Sequence, residues 1–442
     1  MRRGDIPRGD MARRALLKAG LAAPLALPFA SAAAQVSESD EMSSERLMAD
    51  VRAYAGAGNK QSGGPGDRWT AGWTAERLTA AGYAVQAQAF DAPFFEPGRC
   101  ALVLGDAAIP VIAQPLVVPT PPSGITAPLR LAEIGGRLDG SIAVVRLPYR
   151  RWSSLVDAAV RRPVADAVAR GAVAVVVATT GPTGEALLLN AHADAPFAPV
   201  PIALLAPRKA APVVEAAQTG LTARLQIKGQ DGVRQAQNII GQRIVARAPW
   251  IVISTPRSGW TDCVGERAPG VAIWLALVQW LPRHFPRHSV LMVTNSGHEY
   301  ENLGAKRMIK TFGPPPEQTA LWLHLGANVA TRDWHELPDR LLPLPSADPF
   351  RFLMTSDDLL AQARAAFRNQ PGLEAAYSSA EGAAGELQEI VRAGYPRHAG
   401  IFGAHRQHHA ASDTLETILP DALHAAARGC CALIAAALRP KI

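Results

Sequence analysis

The chain has 442 residues, 48% of them hydrophobic and 19% charged, a globular composition long enough for two or three domains. Residues 1–34 hold six basic and two acidic side chains, so the net charge of +7 leaves only +3 for the rest, which excludes the basic footprint of a nucleic-acid-binding protein. Its four cysteines, Cys100, Cys263, Cys430 and Cys431, form no C-x-x-C pair, which speaks against a zinc ribbon, a thioredoxin-type site or a disulfide framework.

The chain opens on a targeting pattern. Arg13-Arg14 and Leu16-Leu17-Lys18 precede an apolar run over 19–29 and the small residues Ala32-Ala33-Ala34. That run is too short for a ~30 Å hydrocarbon core. The order basic, apolar, small predicts a signal peptide over 1–34 of the twin-arginine type. The mature chain is expected to begin near Gln35, in the periplasm or outside the cell. No later segment is long and apolar enough for a membrane helix, so no membrane partner is expected after cleavage.

Ser44 is placed to cap a helix over 44–54. The turn Ser62-Gly63-Gly64-Pro65-Gly66 separates it from a helix over 70–81, and residues 83–90 alternate as a strand does. From about residue 100 short apolar runs alternate with Pro and Gly, at 101–104, 109–112, 142–147, 173–177 and 202–205. One helix, near 164–170, interrupts them. This predicts a small β-rich domain over 100–235. His192 and Asp194 stand in NAHADAPFAPVP, whose Ala and Pro residues mark a plain loop.

After residue 236 strands and helices alternate again. Strands are predicted at 250–254, 289–294 and 321–325, with helices at 270–281, 356–368 and 420–438. Residues 289–305, SVLMVTNSGHEYENLGA, are the centre of this block. An unbroken apolar run suits a strand covered on both faces. It turns at Asn295-Ser296-Gly297 and presents His298 and Glu299 where open α/β sheets keep their sites. Glu266, Glu299, His324 and His409 stand at successive strand ends or the loops beside them. Carboxylate and imidazole are ligands that zinc accepts.

Four segments resemble the zinc-dependent aminopeptidases with a two-metal site, relatives of the glutaminyl cyclases. GHEYENLGA resembles that family's Glu-Glu-x-Gly-x-x-Gly segment. Residues 409–414, HAASDT, resemble its His-Thr-x-x-Asp-Thr loop. Residues 265–272, GERAPGVA, resemble its Asp-Asn-x-Ser-Gly-Val-Ala segment, and LWLHLGAN the strand that ends in Asp. The resemblance implies an α/β three-layer sandwich with a mostly parallel central sheet. It splits the mature chain into 41–99, a protease-associated-type insert over 100–235, and a peptidase-like part over 236–442.

The same resemblance implies changes in the site. Pro256 stands where the family's His-x-Asp histidine belongs, Glu266 replaces the bridging Asp, His298 the glutamate base, and His324 the Asp of the first metal. Glu299 and His409 match unchanged. The implied metal ligands are Glu266, Glu299 and His409, with His324 as a fourth ligand or a neighbour. His298 is the implied proton acceptor. Asp413 is implied to orient His409, and His408 to face the pocket wall. Glu301, Glu386 and Arg406 read as solvated or structural. At most one ion, zinc, is expected. Three functions follow: a metal-dependent hydrolase acting on a peptide or small amide, a peptidase-fold protein that binds such ligands without catalysis, or a single-zinc cyclase-type transferase.

Overall fold

The structure, a computed structural model, describes residues 40–439. The predicted targeting segment lies outside them. Two helices come first, α1 (Ser44–Gly56) and α2 (Pro65–Ala80). Ser43, one residue earlier than expected, caps α1 by accepting from the Arg46 amide. α2 also starts early, because Pro65 suits the first helical position, where no amide donor is needed.

Strands β1 (Ala84–Leu104), β2 (Ala107–Pro110), β3 (Ile112–Ala113), β4 (Ile125–Leu131) and β5 (Ile142–Arg146) follow. Helix α3 (Ala158–Ala169), strands β6 (Ala174–Ala178) and β7 (Ile202–Leu205), helix α4 (Ala210–Thr219) and strand β8 (Thr222–Arg243) come next. The last block holds β9 (Trp250–Pro256), α5 (Val264–His284), β10 (Ser289–Asn295), α6 (Leu303–Phe312), β11 (Thr319–Leu325), β12 (Arg332–Glu336) and β13 (Leu341–Ala347). It ends with β14 (Arg351–Thr355), α7 (Leu360–Ala366), β15 (Tyr377–Ser378), α8 (Leu387–Arg392), β16 (His398–Gly403) and α9 (Pro420–Ala437).

The sheet is open and runs in the order β15-β14-β16-β11-β9-β10-β8-β4-β5-β6-β7-β3. Strands β10, β9, β11 and β16 are parallel to one another, as are β4 to β7. Strands β5 and β9 do not pair, because β4, β8 and β10 lie between them. Strand β1 was expected to end near Phe90 but continues through Pro93 and Pro97. It pairs antiparallel with β8 along its length, and its other side pairs only with β2, over Ala101–Leu104. Proline is tolerated where a strand has no neighbour to accept its missing donor.

Period-two alternation divides the core between the two faces of the sheet. Val290 and Met292 of β10, with Ile251, Ile253, Leu321 and Leu323, pack with Tyr54 of α1, Trp274 of α5 and Leu433 of α9. Leu291 and Val293, with Val252 and Trp322, pack with Met308 of α6 and Ile390 of α8. This is the three-layer α/β sandwich the motifs imply. A helix apolar on every side, such as α5, must be buried, and Val271–Val278 is buried throughout. Among the described residues no helix is long and apolar enough to cross a membrane.

Candidate functional site

The site lies where β9, β10 and β11 end and α5 begins. Helix α5 starts at Val264, well before the predicted 270, so Glu266 sits in its first turn. Asp413 explains the early start. Its Oδ1 accepts from the Gly265 amide at 2.6 Å and its Oδ2 from the Glu266 amide at 3.1 Å. A carboxylate on the first free amides of a helix is a strong cap. Gly265 is required there, since an added Cβ would lie 2.7 Å from the Asp413 Oδ1. The structure therefore gives Asp413 to α5 and to His405, whose Nε2 is 3.4 Å from Oδ2. It does not place Asp413 on His409, the implied partner. What orients His409 is a backbone group: Nδ1 donates to the Leu188 carbonyl at 2.7 Å, leaving Nε2 to face Glu266.

His409 has φ +62°, a left-handed backbone rare outside glycine. Its Nε2 lies 3.5 Å from Glu266 Oε1, and His408 Nδ1 lies 3.9 Å from the same oxygen. Among the described residues, Glu266, His408 and His409 are the group of metal-type side chains close enough to share an ion, with donor atoms within 4.8 Å. His408 thus faces the cluster. Burial, and then the neighbouring His409, hold its imidazole well below the usual range, so it is neutral.

Arg267 decides the electrostatics. Its Nη2 lies 2.5 Å from Glu266 Oε1, and its Nε donates to the Ser258 carbonyl at 2.9 Å. Burial, the largest single influence, opposes the charge on Glu266, but the guanidinium together with His408 and His409 outweighs it and holds the carboxyl well below the ordinary value. A second buried pair lies one strand end away. Arg257 Nε is 3.0 Å from Asp67 Oδ1, and Nη1 donates to the Thr294 carbonyl at 2.8 Å. The two arginines directly follow Pro256 and Glu266, two of the four positions where the resemblance places departures from the metal pattern. That adjacency was the available sequence clue.

Glu299 is not in the cluster. Its Oε1 accepts from the Ser62 amide at 2.8 Å and the Ser62 hydroxyl at 2.6 Å, and its Oε2 from Ser258 at 2.7 Å. The Gly-rich turn that read as a separator thus delivers Ser62 to the site. His298 and His324 lie apart from it as well. His298 Nδ1 is 3.5 Å from Glu386 Oε1, and Asn295 donates to Oε2 of that carboxylate at 2.8 Å. Glu386 is therefore a buried partner of His298. His324 meets Ser254 Oγ through Nδ1 at 3.0 Å, and burial lowers its pKa to about 4. Glu301 bonds Ser154, and Arg406 pairs with Asp333 at 3.1 Å and with Glu336.

Two observations bear on zinc in opposite senses. Oε2 of Glu266 and Nδ1 of His408 are buried without a hydrogen bond among the described residues, as metal ligands would be. Yet the His408 and His409 rings stack, 4.0 Å apart and 20° from parallel. Near-parallel rings at that spacing must turn before both nitrogens can point at one ion ~2.0–2.1 Å away. A divalent ion about 4 Å from the guanidinium would meet a repulsion of roughly 8 kcal/mol at an effective dielectric of about 20. That offsets most of the ~10–16 kcal/mol that structural zinc contributes elsewhere. The triad is thus spaced to hold an ion, and as arranged the guanidinium and the stacked rings oppose one.

No protein-family model and no curated protein matches the sequence. Solved structures match over nearly the whole chain. A zinc aminopeptidase from Bacillus subtilis aligns with TM-score 0.69 at 16% identity, covering 90% of this chain and 96% of its own. A peptidase precursor from Shewanella amazonensis gives 0.65 at 17%, covering 90% and 92%. An aminopeptidase from an Aneurinibacillus species gives 0.64 at 17%, covering 91% and 95%. The chain has the fold of the zinc aminopeptidases.

Proposed function

We propose that this chain is an exported protein of peptidase fold that binds peptide ends or small amides without metal catalysis. The observation that carries this reading is the Arg267 guanidinium on Glu266 Oε1, the oxygen that also faces both imidazoles. A fixed cation there does the charge balancing that an ion would otherwise do. The export reading rests on Arg13-Arg14 and the small residues that follow the apolar run.

A second reading has its own support. The unsatisfied Glu266 Oε2 and His408 Nδ1 favour a hydrolase with one zinc on Glu266, His408 and His409, provided Arg267 withdraws and a ring turns. Zinc per chain after dialysis at neutral pH, with an aminopeptidase substrate panel, separates the two. The binding reading expects far less than one equivalent and no hydrolysis. One equivalent, with hydrolysis that His409→Ala abolishes, establishes the hydrolase instead.

A further inference from the structure

A cavity of 540 Å³ opens beside the cluster. Phe94, Phe95, Val111, Leu188, Trp260 and Tyr300 form its apolar wall. Chain continuity ties it to the site, since Leu188 carries the carbonyl that holds His409 and Tyr300 follows Glu299. The two aromatic anchors have their polar ends engaged elsewhere. Trp260 Nε1 donates to Asn190 Oδ1 at 2.9 Å, and the Tyr300 hydroxyl to the Pro93 carbonyl at 2.6 Å. Their rings meet edge to face, 5.4 Å apart at 76°. The wall is therefore fixed before any ligand arrives, which lowers the ordering cost of binding. The volume falls in the range of small-molecule sites, ~300–1,000 Å³.

The charged side chains of the lining itself are of one sign; the neighbouring Arg234 guanidinium lies 5.3 Å over the Phe94 ring and donates through Nε to the Ser62 carbonyl at 2.6 Å. Asp194 and Asp231 are exposed, and the lining holds no Lys, Arg or His. Neither carboxylate has an ion-pair partner among the described residues. Asp194 comes from the His192-x-Asp194 loop, whose His192 is not part of the lining.

We propose that this cavity binds an apolar amine, a ligand with an aromatic or branched hydrophobic body and one positive charge. The body fills the space between Trp260, Tyr300 and Phe94, and the ammonium meets Asp194 and Asp231. This goes beyond the binding reading above, because it concerns a cavity apart from the Glu266 cluster and holds whether or not that cluster takes an ion.

The test is calorimetry on the exported protein with three probes of one shape, 4-phenylbutylamine, 4-phenylbutanol and 4-phenylbutyrate. The amine should bind roughly three- to tenfold more tightly than the alcohol, as for exposed charge pairs, and the carboxylate more weakly still. Asp194→Asn with Asp231→Asn should erase the difference between amine and alcohol. Val233 lines the cavity and is exposed, so Val233→Trp should block all three probes without unfolding the chain. Equal affinity for amine and alcohol, binding that survives Val233→Trp, or no binding at all overturns the proposal. Zinc content and hydrolysis report separately on the Glu266 cluster, so failure there leaves this result legible.

Discussion

Arg267 Nη2 lies 2.5 Å from Glu266 Oε1, and both side chains are buried. Removing one partner of such a pair strands the other. Arg267→Met should cost about 3–5 kcal/mol in urea unfolding, because Glu266 is left as an uncompensated buried charge. The same change clears the oxygen that the imidazoles face. Added zinc should then raise the melting temperature of the variant and leave that of the parent unchanged. Equal zinc stabilisation of both proteins would refute the role assigned to Arg267.

The three hydrogen bonds on Glu299 make a second prediction. Ser62→Ala removes a hydroxyl donor from a buried carboxylate and should cost about 1.5–3 kcal/mol. Ser258→Ala should cost a similar amount. Chelator should not change either value, since Glu299 is satisfied by serines. Unfolding curves with and without chelator check this.

Asp413 is a cap, so its loss should be felt in α5. Asp413→Ala is expected to destabilise by about 1–2 kcal/mol, and the amides of Gly265 and Glu266 should lose protection in hydrogen exchange. Asp413→Asn, which keeps an acceptor, should retain much of that protection. Protection unchanged in Asp413→Ala would show that α5 starts without it.

His324 predicts a pH dependence. Burial lowers its pKa from 6.5 to about 4. Between those values the unfolded chain binds a proton that the folded chain does not, so stability falls as pH drops through this window. The loss should approach ~3 kcal/mol near pH 4. His324→Gln should flatten this part of the profile, and an unchanged slope would assign the effect to other groups.

Export is testable without structure. Replacing Arg13 and Arg14 with Lys should hold the precursor in the cytoplasm, read as an unprocessed band on fractionation. Normal processing of that variant would remove the twin-arginine reading.

The sequence by itself determined the layers. The unbroken apolar runs of β9, β10 and β11 and the all-round apolar α5 admit little besides a sheet covered on both faces, because each residue's burial follows from local periodicity. The four motif segments carried the fold of the zinc aminopeptidases and named Glu266 and His409, which the structure does bring together. Tertiary structure decided everything that depends on which way a side chain turns. Ser62 reaches Glu299 across 237 residues, and Leu188 reaches His409 across 221. Such partners leave no local pattern. Arg257 and Arg267 were visible as letters, yet only packing shows that both are buried on carboxylates. A buried charge must find its counter-charge wherever the fold supplies one, and that choice is made in three dimensions.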